Sequence, residues 1–189
     1  MAIAGICVGA GFVATAIFSI GFSQDSATAN NTTKTLVSET RPNSNLGPSG
    51  LPVPRFVSLK RNKVNVRKGP STDHRVTWIY TSKGYPVEII AESDNWRRIR
   101  DAQGDEGWVF HSLLSGTRTS VVAPWGDATQ VPLLSEPLSG ATAVASLSSG
   151  VMGSIGKCTG QWCMIAVPGF SGWVRQDRLW GVYPGEQIE

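Results

Sequence analysis

Histidine and cysteine are scarce in this chain, with 2 and 3 residues in 189. A structural zinc takes about four such ligands. His74 and His111 stand well before the pair Cys158 and Cys163, so no metal site and no cofactor is expected. A thiol hydrolase needs its cysteine on a rigid element, with a histidine and an orienting group converging on it. Redox centres usually carry C-x-x-C ahead of a helix, whereas the spacing here is C-x4-C. No Gly-rich phosphate loop is present, and Gly104 and Gly107 bracket a turn. The acids around that turn, Asp101, Asp105 and Glu106, sit where carboxylates commonly face water. Catalysis is not expected.

Charge is thin as well, at 16% of residues and a net +3. It is also uneven. Arg55 to Arg118 holds 12 Lys and Arg against 7 Asp and Glu, while Thr119 to Glu189 holds 3 against 5. A nucleic-acid surface clusters basic residues far more densely, so no nucleic-acid partner is expected. The first half leans toward an anionic partner, although a solvated face is the commoner meaning of such a balance.

No charge occurs between Ala2 and Phe22, and the first basic residue is Lys34. An apolar run of about 20 residues is long enough to span a bilayer and longer than the usual signal-peptide core. Ala27-Thr28-Ala29 follows, a small-x-small site of the kind signal peptidase cuts. Residues 1–29 therefore read as a cleaved signal peptide or as an uncleaved anchor through residues 2–22. Either places everything after residue 30 outside the cytoplasm. Cys7 follows Ile6, where a lipidated cysteine needs a small residue, and it reads as an ordinary membrane residue. Residues 30–50 are Ser, Thr, Asn, Pro and Gly with little apolar content. Such a segment cannot bury enough surface to offset its ordering entropy, so a disordered linker is expected, with the folded part starting near Leu51.

Gly (21) and Pro (11) are plentiful, which suits short strands and tight turns. Strands are expected at Lys63–Arg67, Val76–Tyr80, Pro86–Ala91, Trp96–Arg100 and Gly107–Phe110, each closed by a turn signal. One turn of 3₁₀ helix is expected at 111–114. Five short strands in about 60 residues indicate a small antiparallel barrel.

The chain then repeats itself at an offset near 66. Asn95-Trp96 and Gly107-Trp108-Val109 return as Gln161-Trp162 and Gly172-Trp173-Val174. Val64-Asn65-Val66 falls on Val131-Pro132-Leu133, Pro70 on Pro137, and Leu113 on Leu179. Apolar positions persist while the charged ones between them change, as in a shared core under different surfaces. The expected architecture is all-β, two small barrels in tandem over 51–118 and 119–189. A domain this small buries a limited core, and packing through Trp125 and Trp180 would let the copies support each other.

Val64-Asn65-Val66-Arg67-Lys68-Gly69-Pro70-Ser71, Lys83-Gly84, Asn95-Trp96 and Gly107-Trp108-Val109 resemble the bacterial SH3-like (SH3b) domain. The second copy keeps the tryptophans and Pro137 but has Leu134-Ser135-Glu136 in place of Arg-x-Gly. The resemblance implies binding or scaffolding in the envelope, toward peptidoglycan or a peptide of an envelope protein, without enzymatic activity. An interaction module that recruits or regulates an envelope enzyme is the alternative.

The offset places Cys158 on Glu92 and Cys163 on Arg97, so a thiol pair in one copy answers an opposite-charge pair in the other. Cross-strand neighbours lie within disulfide reach, and an oxidising compartment favours the bond. A six-residue ring stabilises by about 2 kcal/mol in the chain-entropy model, against about 0–1 kcal/mol for a surface ion pair. Trp78, Tyr80, Tyr85 and Trp96 are candidates for a shallow binding groove, since aromatic rings offer contact area with little entropy loss. Arg98 and Arg100 are candidates for an anionic ligand. Arg67 either braces the following loop or reaches that ligand, and the Gly-Trp-Val tryptophans are expected in the core.

Overall fold

Alternation builds each barrel. Val64–Arg67 alternates buried and half-buried side chains, as a strand with one face on a core does, and Glu106–Phe110 does the same. A computed structural model describes residues 45–126 and 130–189. The apolar segment 1–29, Cys7 and residues 30–44 of the expected linker lie outside the described residues.

The first half comprises β1 (Asn45–Leu46), β2 (Pro52–Val53), β3 (Arg55–Leu59), β4 (Val64–Arg67), β5 (Val76–Tyr80), β6 (Pro86–Ser93), β7 (Trp96–Arg100), β8 (Glu106–Phe110) and, after a 3₁₀ turn at His111–Leu113, β9 (Leu114–Ser115). The second comprises β10 (Thr119–Val122), β11 (Val131–Leu134), β12 (Ala143–Leu147), β13 (Met152–Thr159), β14 (Trp162–Val167) and β15 (Phe170–Arg175). A 3₁₀ turn at Gln176–Arg178 follows, then β16 (Leu179–Trp180) and β17 (Gln187–Ile188). The five strands expected in the first copy form within two residues of their expected ends.

Strand order shows the repeat directly. The first sheet runs β5-β4-β8-β7-β6-β3-β9 and the second β12-β11-β15-β14-β13-β10-β16, with β17 added to β13. The two paths are the same order. Bulges recur too, at Val66/Arg67 and Leu133/Leu134, and at Ile89/Ala91 and Ile155/Lys157. Each bulge bends a strand so that the sheet can close on itself. Val57, Leu59, Val64, Val66, Val87, Ile89, Ile99 and Val109 fill the first core, and a second cluster around Val122, Leu133, Ile165 and Val174 fills the other. One correspondence shifts. Leu114 pairs with Leu59 and Leu179 with Val122, so Leu114, not Leu113, answers to Leu179. The residue missing from the preceding turn of the second copy accounts for the slip.

Two further expectations change. Residues 45–50, assigned to the linker by composition, belong to the fold: β1 pairs with β2, and Ser49 donates its backbone N–H to Glu92 at 2.9 Å and its hydroxyl at 2.8 Å. The copies meet through Trp180 but not through Trp125, which stays 53% exposed. Trp180 sets its ring edge-on to Phe56 at 5.0 Å and donates its indole N–H to the Pro86 carbonyl at 3.1 Å. Tyr183 packs on the same Phe56 ring at 4.7 Å and donates its hydroxyl to Glu88 at 2.9 Å. Arg118, in the connection between β9 and β10, forks onto Glu186 with both bonds at 2.9 Å. These partners tie the two barrels together by ring contacts and hydrogen bonds at once.

Candidate functional site

Three of the expected groove residues come together. On β5, Trp78 and Tyr80 lie two residues apart and face the same side, and both pack half-buried on the first core with Tyr85. Tyr80 meets Trp78 edge-on at 6.0 Å and stacks on Tyr85 at 5.5 Å. The result is an aromatic ledge across one opening of the barrel. Gly107 makes room for it, because a Cβ there would meet the Val66 side chain and the far edge of Trp78.

Asp101 anchors the ledge. Contrary to the expectation of a solvated turn acid, it is buried. Its carboxylate accepts the Tyr80 hydroxyl at 2.8 Å and the backbone N–H groups of Gln103 and Asp105 at 3.0 and 2.9 Å. The spacing Asp101-x-Gln103-x-Asp105 is that of a carboxylate folding the turn after it, a signal present in the sequence. Burial, with the Asp101 hydrogen bond and charge behind it, holds the Tyr80 hydroxyl far above its ordinary pKa. Burial and the same charge raise Tyr85. Both phenols stay protonated as donors.

The arginines expected to serve the groove are already engaged. Arg100 pairs with Glu88, its register partner across β6–β7, at 2.6 Å, and Arg98 reaches diagonally across β7–β8 to Glu106, which faces Arg100, at 2.6 Å. Arg67 takes its bracing role, donating to the carbonyls of Thr72 and His74 at 2.9 and 2.7 Å. Trp96 is not part of the ledge. It sits four residues before Arg100 on β7, about 13 Å away by strand rise, and packs edge-on against Phe110 at 5.5 Å. Trp108 is on the outer face too, between buried Gly107 and Val109, rather than in the core.

The cations that sequence reasoning passed over are Arg61, Lys63 and Lys83. All are exposed, and among the described residues none joins an ion pair. Lys63 precedes Val64, the register partner of Tyr80, and Lys83 lies in the turn between Tyr80 and Tyr85. The place of Lys63 next to Tyr80 follows from the β4–β5 pairing, which composition alone does not reveal.

In the second barrel, register places Ala145 opposite Leu133, where Trp78 stands opposite Val66, and Leu147 opposite Val131, where Tyr80 stands opposite Val64. Val151 accepts from Val122 as Tyr85 does from Leu59. The ledge has no counterpart there.

The Cys158–Cys163 disulfide is formed, with Cα atoms 4.1 Å apart, between direct register partners. Glu92 and Arg97 are direct partners as well, at 3.0 Å, but this is no surface pair. The Glu92 side chain is 0% exposed and Arg97 11%, and Arg55 joins at 2.7 Å. Burial opposes the Glu92 charge, yet the Ser49 hydrogen bonds and Arg55 outweigh it and hold the carboxyl below its ordinary pKa.

With this geometry in place, comparison with known families is decisive. The family model for the bacterial SH3 domain matches residues 60–116 and again 127–181, more than half of the chain. The chain belongs to the bacterial SH3 domain family. Its two SH3 domains are similar in fold comparison to NlpC2 from Trichomonas vaginalis, at 18% identity and a TM-score of 0.31 over 68% of this chain and 48% of that one. NlpC1 from the same organism gives 19% identity and a TM-score of 0.31 over 67% and 45%. This chain thus spans under half the length of either structure. No curated protein compared with it matches.

Proposed function

We propose that this protein is a non-enzymatic binding module of the bacterial cell envelope, exported from the cytoplasm, whose first SH3 domain binds the peptide stems of peptidoglycan. The observation that carries the reading is the ledge of Trp78, Tyr80 and Tyr85, with Lys63 and Lys83 next to it in register and chain, present in one domain and missing from the other. Rings with fixed rotamers supply contact area at small entropic cost, and unneutralised cations at the rim attract carboxylates and speed their encounter. Stem peptides carry carboxylates. Arg98 and Arg100 serve the barrel's own acids and lie outside the binding residues of this reading.

A second reading, docking to an extended segment of another envelope protein, is favoured by the edge of β5. That strand ends the sheet path, makes no backbone hydrogen bond on its far side among the described residues, and exposes Val76 and Ile79 at 39% and 45%. Such an edge accepts an added strand. Absence of catalysis belongs to the proposal too: the two described thiols are joined to each other, and His111 packs on Phe110 at 5.0 Å. Sedimentation with purified sacculi tests the proposal. Salt-sensitive binding that Tyr80→Ala removes supports the stem-peptide reading, and no sedimentation by the intact protein transfers the case to a protein partner.

A further inference from the structure

The second SH3 domain contains a cleft of about 640 Å3, lined among others by Trp125, Gln161, Trp162, Arg175, Asp177 and Trp180. Register explains why it exists. Trp96 in the first domain faces Phe110, and the two rings pack together. Trp162 instead faces Arg175, which turns toward Asp177 with bonds of 3.1 and 2.8 Å. Arg175 thus stands where the first domain carries a phenyl ring, and it lines the cleft beside the buried Trp162. A smaller hollow of about 250 Å3, which also touches Trp162 and Arg175, adjoins it with Gln130 and Arg178 on its wall.

The walls are held from behind. Trp180 is fixed by the Pro86 carbonyl and the Phe56 ring. Gln176 is buried, donating to the Glu186 carbonyl at 2.6 Å and accepting from the Gly185 N–H at 3.0 Å. Gly160, Gln161 and Trp162 form the opposite wall, and they are residues of the turn that the Cys158–Cys163 disulfide closes. The cysteine pair therefore stiffens a cleft wall as well as a hairpin.

We propose that this cleft binds a neutral saccharide, a short chain of pyranose rings, and that the disulfide positions its wall. The volume lies within the range of small-ligand sites, which combine apolar walls with a few placed polar groups. Arg175 and Asp177 neutralise each other at the rim of the larger cleft and offer a donor and an acceptor there. The exposed Trp125 indole can pack the C–H face of a sugar ring, while Gln161 and the ion pair meet its hydroxyls. The smaller hollow gives a second ring somewhere to go. This site is separate from the aromatic ledge and does not rest on it.

The test is an NMR titration of the oxidised full chain with a short neutral oligosaccharide of N-acetylglucosamine, following the indole N–H signals. Trp125 and Trp162 are expected to shift while Trp78 stays in place. Trp125→Ala, at an exposed position, should weaken binding about tenfold, near 1.4 kcal/mol. Arg175→Phe should abolish the shifts by restoring the ring that the first domain carries. Tyr80→Ala should leave them unchanged, which separates this site from the stem-peptide reading. Absence of shifts, shifts centred on Trp78, or parental binding by Arg175→Phe overturns the site. Equal affinity after reduction overturns the role of the disulfide.

Discussion

Glu92 and Arg97 face each other across the β6–β7 hairpin at the register position that Cys158 and Cys163 hold across β13–β14. One hairpin is closed by a buried charge pair that Arg55 and Ser49 complete, the other by a covalent bond. Removing one member of a buried pair strands its partner, at a cost of about 3–5 kcal/mol. Loss of the disulfide costs about 2 kcal/mol in the chain-entropy model. Glu92→Ala should therefore lower stability more than the double change Cys158→Ala, Cys163→Ala. Urea denaturation of the two variants beside the parent measures the difference, and the reverse order would contradict it.

The Glu92 carboxyl also sets a pH dependence. Its folded pKa lies below the ordinary 4.5, so the unfolded chain binds the proton more readily. Its contribution is complete above that ordinary value and is lost as pH falls through the lowered one. The melting-temperature gap between parent and Glu92→Gln should be constant at neutral pH and shrink below about pH 4.5. A gap that widens on acidification would show the sign to be wrong.

Gly172 lies where a Cβ would come 2.6 Å from the Leu134 carbonyl and 2.9 Å from Leu133. The backbone partner cannot move aside cheaply, so Gly172→Ala should destabilise by about 1–3 kcal/mol. Calorimetric unfolding checks this, and a variant as stable as the parent would mean that β11 yields more readily than its pairing with β15 suggests.

Much of the fold was legible. The strands of the first barrel alternate or carry β-branched residues between clear turn signals, and the Trp and Gly positions exposed the repeat. Arg55–Leu59 was missed because its residues are buried on both faces apart from Arg55, leaving no alternation to read. The residue types of the site were visible, but their partners were not. Arg100 is taken by Glu88, set opposite it by a β6–β7 register that includes a bulge at Ile89/Ala91, and Arg98 is taken by a diagonal pair with Glu106; sequence announces neither. The cleft was hidden for the same reason, since it depends on which residue faces Trp162.

Tyr80 has two roles that one substitution pair separates. Tyr80→Phe keeps the ring and removes the bond to Asp101, which still accepts two backbone N–H groups. It should cost about 1–2 kcal/mol of stability while retaining ligand binding. Tyr80→Ala should lose binding as well. Chemical denaturation and sacculus sedimentation of both variants check the split, and equal binding loss would assign the recognition to the hydroxyl instead of the ring.

The most direct measurement is sedimentation of the purified protein with sacculi across a salt series, for the parent, Tyr80→Ala and the double variant Lys63→Ala, Lys83→Ala. The parent should sediment at low salt and release as screening sets in over a Debye length of about 10 Å at 0.1 M. Tyr80→Ala should lose the salt-sensitive sedimentation, keeping at most a salt-insensitive remainder held through the second domain, and the double variant should bind weakly with a flatter salt dependence. Parental sedimentation by Tyr80→Ala, with salt dependence unaltered by loss of Lys63 and Lys83, would contradict recognition by the first SH3 domain.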